Sequence, residues 1–107
     1  MFRLDGNTII MTRGDTVRVK FALKMDGIPY VLQEGDVVRF AVNTADHEAE
    51  PLITKELDDY VLTLEPSDTK DLAFGSYLYD VQITFAESVD ILTYIEKAKL
   101  KITWEAD

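Results

Sequence analysis

From Tyr77 to Phe85 the chain alternates without a break. Tyr77, Tyr79, Val81, Ile83 and Phe85 are large and apolar or aromatic, and Leu78, Asp80, Gln82 and Thr84 stand between them. A repeat of two sends one set of side chains to a core and the other toward water, which is the pattern of a β-strand covered on one face. The strand begins after Gly75, and as the longest clean alternation in the sequence it is expected to be central.

Shorter runs of the same kind surround it. Thr8–Thr12 is β-prone. Thr16–Leu23 places Val17, Val19, Phe21 and Leu23 inward, Val37–Thr44 places Val38, Phe40 and Val42 inward, and Tyr60–Glu65 does so with Tyr60, Leu62 and Leu64. Leu52–Glu56 and Ile91–Glu96 are further short strands. Lys97–Trp104 directs Ala98, Leu100, Ile102 and Trp104 inward and three lysines outward. Lysines along one face guard against edge-to-edge pairing, so this run is expected at a sheet edge. Turn signals separate the runs: Arg13-Gly-Asp15, Glu34-Gly-Asp36, and Asp26-Gly27, whose two residues tolerate the positive φ of a tight hairpin. Pro29 cannot donate to a ladder and confines residues 28–30 to an edge. Pro66–Leu72 breaks the rhythm with one helical turn, for which Ser67 is the expected N-cap. The sum is an all-β fold, an antiparallel sandwich of 7–9 short strands with at most one helical turn near residues 67–72. A closed barrel is the other arrangement of these strands.

The 107 residues suit one domain spanning 1–107, and 47% hydrophobic residues are enough for one core. The chain has no cysteine, so packing and hydrogen bonds must hold it without disulfides or thiolate metal sites. A net charge of −9 repels phosphates and anionic lipid, which disfavours nucleic-acid partners. No apolar run approaches the roughly 20 residues of a spanning helix, so no membrane insertion is expected. The start at Met1 lacks a signal-peptide pattern and reads as a small gene product made in a cytoplasm.

Chemistry is sparsely provided. The one histidine, His47, lies in Asp46-His-Glu-Ala-Glu50, and Pro51 stands where a zinc-protease helix would need its second histidine. An acidic solvated loop is the expected structure there. The carboxylate pairs Asp58-Asp59, Asp68 with Asp71, and Glu87 with Asp90 fall in turns, where acids serve local hydrogen bonds. No Asp-x-Asp-x-Asp-Gly calcium loop or Gly-rich phosphate loop occurs. No enzyme activity, cofactor or metal is expected. Among the aromatics, Phe21, Phe40, Tyr77, Tyr79, Phe85 and Trp104 fall on inner faces, whereas Tyr30, Phe74 and Tyr94 do not place themselves and are the candidate partner-contact residues.

Two resemblances bear on function. Asp71-Leu-Ala-Phe-Gly75-Ser-Tyr77-Leu-Tyr79 resembles the tyrosine corner of immunoglobulin-like domains, with Tyr77 as the corner residue and Tyr79 where antibody domains keep a cysteine. Without a cysteine pair or a strand-C tryptophan, only the architecture is shared. Ile9–Thr16, the strand ending at Asp26-Gly-Ile-Pro29, Asp36–Val42, Gly75–Val81 and the closing Lys-rich strand follow in an order that resembles the immunoglobulin-like N-terminal domain of phage baseplate upper proteins. The same order is similar to that of small proteins from prophage tail regions. The resemblance implies a non-enzymatic structural or assembly protein of a phage or prophage tail. It would be made in the bacterial cytoplasm and carried into the virion, working through contacts with other phage structural proteins or with itself as a homo-oligomer. The sequence stops at Asp107, where larger members continue toward receptor-binding regions, so an accessory role is expected over direct adhesion. The other reading is a β-sandwich module that recognises a protein or carbohydrate.

Overall fold

The structure, a computed structural model, describes residues 2–44, 50–88 and 90–104. In chain order the elements are β1 (Phe2–Asp5), β2 (Thr8–Thr12), β3 (Val17–Lys20), β4 (Lys24–Met25), β5 (Ile28–Pro29), β6 (Val37–Asn43), β7 (Ile53–Leu57), β8 (Val61–Leu64), α1 (Pro66–Thr69), β9 (Gly75–Thr84) and β10 (Ile91–Thr103). Eight of the ten strands have four residues or more, and the two-residue pair β4–β5 is a small hairpin.

The large layer is a six-stranded sheet in the order β1-β2-β10-β9-β6-β7, and β3 and β8 form the smaller layer across from it. This is an all-β sandwich. The alternating stretch sits inside the sheet as expected: β9 pairs with β6 on one side and with β10 on the other. Its side chains Tyr79, Val81 and Ile83 are buried, with Tyr77 and Phe85 half-buried at the two ends. Val38, Phe40 and Val42 of β6 face the same core, and Val17, Val19, Leu62 and Leu64 close it from the smaller layer. At its centre Phe40 and Tyr79 lie 5.1 Å apart, with Phe21 5.8 Å from Tyr79. Tyr79 and Phe40 are the largest of the fully buried side chains, and tilted rings at these separations attract beyond the area they bury.

Several expectations need correction. The pairing is not wholly antiparallel, because β2 runs parallel to β10, with Ile9 beside Leu100 and Met11 beside Ile102. That contact removes the lysine-bearing strand from the sheet edge. Lys99 and Lys101 do face outward, but facing says nothing about lateral neighbours, and β2 and then β1 lie between β10 and that edge. Trp104, expected inward by parity with Leu100 and Ile102, is 77% exposed. It lies one residue past β10, where the narrow second layer no longer covers the sheet. In the helical turn the cap is Glu65 rather than Ser67, since Pro66, with its fixed φ and missing N–H, suits the first helical position.

Of the two edge strands, β1 and β7, the second carries its own guard. Lys55 occupies the strand position opposite Phe40, so its stem points into the sandwich, and its Nζ reaches Asp68 Oδ2 of α1 at 2.9 Å. An inward charge of this kind discourages another strand from adding to the edge. Asp26 and Gly27 both have positive φ, 54° and 79°, as the β4–β5 hairpin requires. The β7–β8 turn is less usual, because Asp59 and Tyr60 take left-handed φ values of 50° and 65° without a glycine. Tyr60 is held there by burial of its ring and by a hydrogen bond from Phe21 N to its carbonyl.

Candidate contact surfaces

The β9–β10 ladder runs from the Gly75–Ile102 pair to the Thr84–Ile91 pair, a span of about 30 Å. The three candidate aromatics divide between its ends. Phe74 adjoins the first pair, whereas Tyr30 packs on Phe85 beside the second, so the structure does not gather them into one patch.

At the first end the corner between α1 and β9 is set by Tyr77, whose hydroxyl donates to Ala73 O at 2.7 Å. This is the hydrogen bond expected of a tyrosine corner. The N–H of Gly14, in the Arg13-Gly-Asp15 turn, donates to the buried Thr69 hydroxyl at 2.8 Å. That bond brings Arg13 over the Phe74 ring, with the guanidinium carbon 4.2 Å from the ring centroid, while its Nη1 donates to Leu72 O at 3.3 Å. The Trp104 indole stacks 4.3 Å from the same ring. Phe74 thus contacts both a cation and an indole. Trp104 was missed as a surface residue because strand parity alone assigned it inward.

The second end is organised by Asp36. Its Oδ2 accepts from Tyr30 Oη at 2.7 Å and from Gln33 N at 2.9 Å, and its Oδ1 accepts from Ala86 N at 2.8 Å. One carboxylate therefore ties the 30–36 loop to the β9–β10 turn. Gly35 makes the close approach possible: its φ is +90°, and a Cβ there would lie 2.9 Å from the Ala86 Cβ. The hydrogen bonds from Ala86, Gln33 and Tyr30 hold the Asp36 carboxyl below its ordinary 3.8. Reciprocally, the bond to Asp36, with burial, pushes the Tyr30 phenol up to about 12.

Two more phenols fasten this end. Tyr60 donates to Tyr30 O at 3.0 Å and Tyr94 donates to Phe21 O at 3.2 Å. Burial raises both, and the charges of Asp36 and Asp59 raise Tyr60 further. Tyr79, whose hydroxyl donates to Asn7 O, is pushed up to about 12 by burial. All five tyrosines thus act as donors between segments or across a corner. Tyr30 and Tyr94 are half-buried and spend their hydroxyls internally, so each offers only ring surface to a partner.

Over this second end lies a groove of about 380 Å³. Met25, Tyr30 and Phe85 supply its apolar surface, and Asp36, Glu87 and Asp90 place carboxylates on it. Of the other exposed apolar side chains, Ile28 belongs to the β4–β5 hairpin, Val31 to the loop after it and Leu92 to the start of β10, whereas Ile91 lines a separate groove with Val37, Arg39 and Gln82. A second groove, about 430 Å³, runs along β1 and β2 between Phe2, Ile10, Met11 and Thr103. No cluster of three His, Cys, Asp or Glu able to hold a metal ion occurs among the described residues. His47, with the acidic loop expected around it, lies outside them. No helix among the described residues is long and apolar enough to cross a membrane. Compared with models of known families and with curated proteins, the chain matches none.

Proposed function

We propose that this protein is a non-enzymatic assembly module that works through protein–protein contacts, as a component of a phage or prophage tail. The observation that supports the contact role is the second end of the ladder. There Met25, Ile28, Val31 and Leu92 stay exposed around loops that Asp36 and three phenols fix in place. Exposed apolar side chains on a preorganised support are what an interface needs, because little ordering entropy remains to be lost on binding. The tail assignment is supported by the order of landmarks from Ile9–Thr16 to the closing Lys-rich strand, with Tyr77 as a corner residue.

The test is sedimentation of particles from an induced lysogen carrying the gene, with the protein followed by antibody. Recovery with tails or baseplates is the expected result, and recovery only with free soluble protein would overturn the tail reading. The exposed indole of Trp104 favours a second reading, a binding module for a carbohydrate or protein, because a flat aromatic face can stack on a sugar ring. Binding to a glycan array that Trp104→Ala abolishes would select that reading.

A further inference from the structure

We infer that the groove over the Tyr30–Phe85 end docks an extended protein segment in which basic residues flank apolar ones. The inference rests on the protein-contact reading above and names the partner's chemistry. The apolar side chains Met25, Tyr30 and Phe85 line the groove, and Glu87 and Asp90 stand on it with them.

The two loop acids differ from Asp36 in one decisive respect. The Asp36 carboxylate is saturated by three donors within the chain. The side chains of Glu87 and Asp90 have no hydrogen bond or ion pair among the described residues. Both residues are exposed, so their charges are uncommitted. An acidic or neutral segment would leave them facing like charge or nothing, whereas lysine or arginine beside an apolar residue satisfies the carboxylates and the groove together. The net charge of −9 adds a long-range field of the same sign preference.

The test uses the full chain, isotope-labelled for NMR. It is titrated with a short synthetic peptide alternating lysine and leucine, and separately with its glutamate–leucine counterpart. The lysine peptide is expected to shift resonances at Met25, Tyr30, Phe85, Glu87, Ser88 and Asp90 in a saturable way, and the glutamate peptide to shift none. The double substitution Glu87→Gln and Asp90→Asn is expected to weaken binding roughly five-fold, the loss of two exposed charge pairs. Because neither side chain supports the fold, the spectrum elsewhere should stay unchanged. Shifts spread over the whole acidic surface, equal response to both peptides, or undiminished binding by the double variant would each overturn the inference. So would concentration-dependent shifts at the same residues in the protein alone, which would make a second copy the occupant. Co-sedimentation with tails together with an unresponsive groove would sink this inference and leave the assembly reading standing; the reverse pair of results would do the opposite.

Discussion

The two ends of the β9–β10 ladder are fastened by different physics. At the Gly75–Ile102 end, rings and a guanidinium stack in the open, and geometry there depends on soft, broad contacts between Arg13, Phe74 and Trp104. At the Thr84–Ile91 end, directional hydrogen bonds converge on one carboxylate and the backbone closes to van der Waals limits at Gly35. A stack yields gradually when one member is trimmed. A saturated carboxylate or a backbone contact fails sharply, because the remaining donors are left without an acceptor. The contrast teaches where the molecule is built to be rigid, and the rigid end is the one carrying the acidic, apolar groove.

Substitutions should rank accordingly. Gly35→Ala is the severest, since it adds a left-handed Cβ and a clash with Ala86 at once. A loss of about 2–4 kcal/mol in denaturant unfolding is expected, and a loss as small as that at the stacked end would erase the contrast. Asp36→Asn follows, with a melting temperature lowered by several degrees at neutral pH. Its pH dependence sharpens the point. With its folded pKa depressed below 3.8, the contribution of Asp36 is fully present above that value and is lost as pH falls through the folded one. The gap between wild type and Asp36→Asn should therefore close in acid. In the alkaline range Tyr30 holds its proton to about 12 against an ordinary 10.0, so its contribution is present below 10.0 and is lost as pH rises through about 12. In Asp36→Asn the Tyr30 phenol should titrate earlier, as NMR of the labelled ring would record. Tyr77→Phe comes next, at about 1 kcal/mol for one hydrogen bond, with groove binding unaltered. Trp104→Ala is the mildest, below about 1 kcal/mol. If it proved more damaging than Asp36→Asn, the stacked end would be the structural anchor and the comparison would invert.

Much of the core was readable because period-two alternation fixes facing. Val38, Phe40, Val42, Leu62, Leu64, Tyr79, Val81 and Ile83 are buried where the pattern puts them. The Tyr77 hydrogen bond to Ala73 O likewise matches a corner marked by Gly75 and the preceding turn. Alternation failed where a side chain's fate depends on what lies across or beside it. Trp104 has the right parity but no covering layer, and β10 has outward lysines but a strand on each side. The groove was illegible for a related reason. Its surface comes from Met25, Tyr30 and Phe85, which meet only through the Asp36 bridge between two loops. In the sequence, Glu34-Gly-Asp36 was visible as a turn, and nothing local indicates that its aspartate reaches Ala86. Apart from Tyr77, the phenols were visible as residues but not as ties, since each acceptor is a backbone carbonyl or carboxylate whose position only the fold determines.

The parallel pair of β2 and β10 also dictates when the protein can be complete. β2 has only β1 and β10 as lateral neighbours, and the residue beside Ile9 is Leu100. During synthesis the β1–β2 hairpin must therefore wait, with the Ile9 and Met11 side chains uncovered by their eventual neighbour, until β10 leaves the ribosome. Pairings so distant in sequence must meet their loop-closure cost before any contact rewards it, which slows folding. The order of synthesis and the order of assembly are opposed here: β2 is made long before β10 and cannot be seated until β10 is.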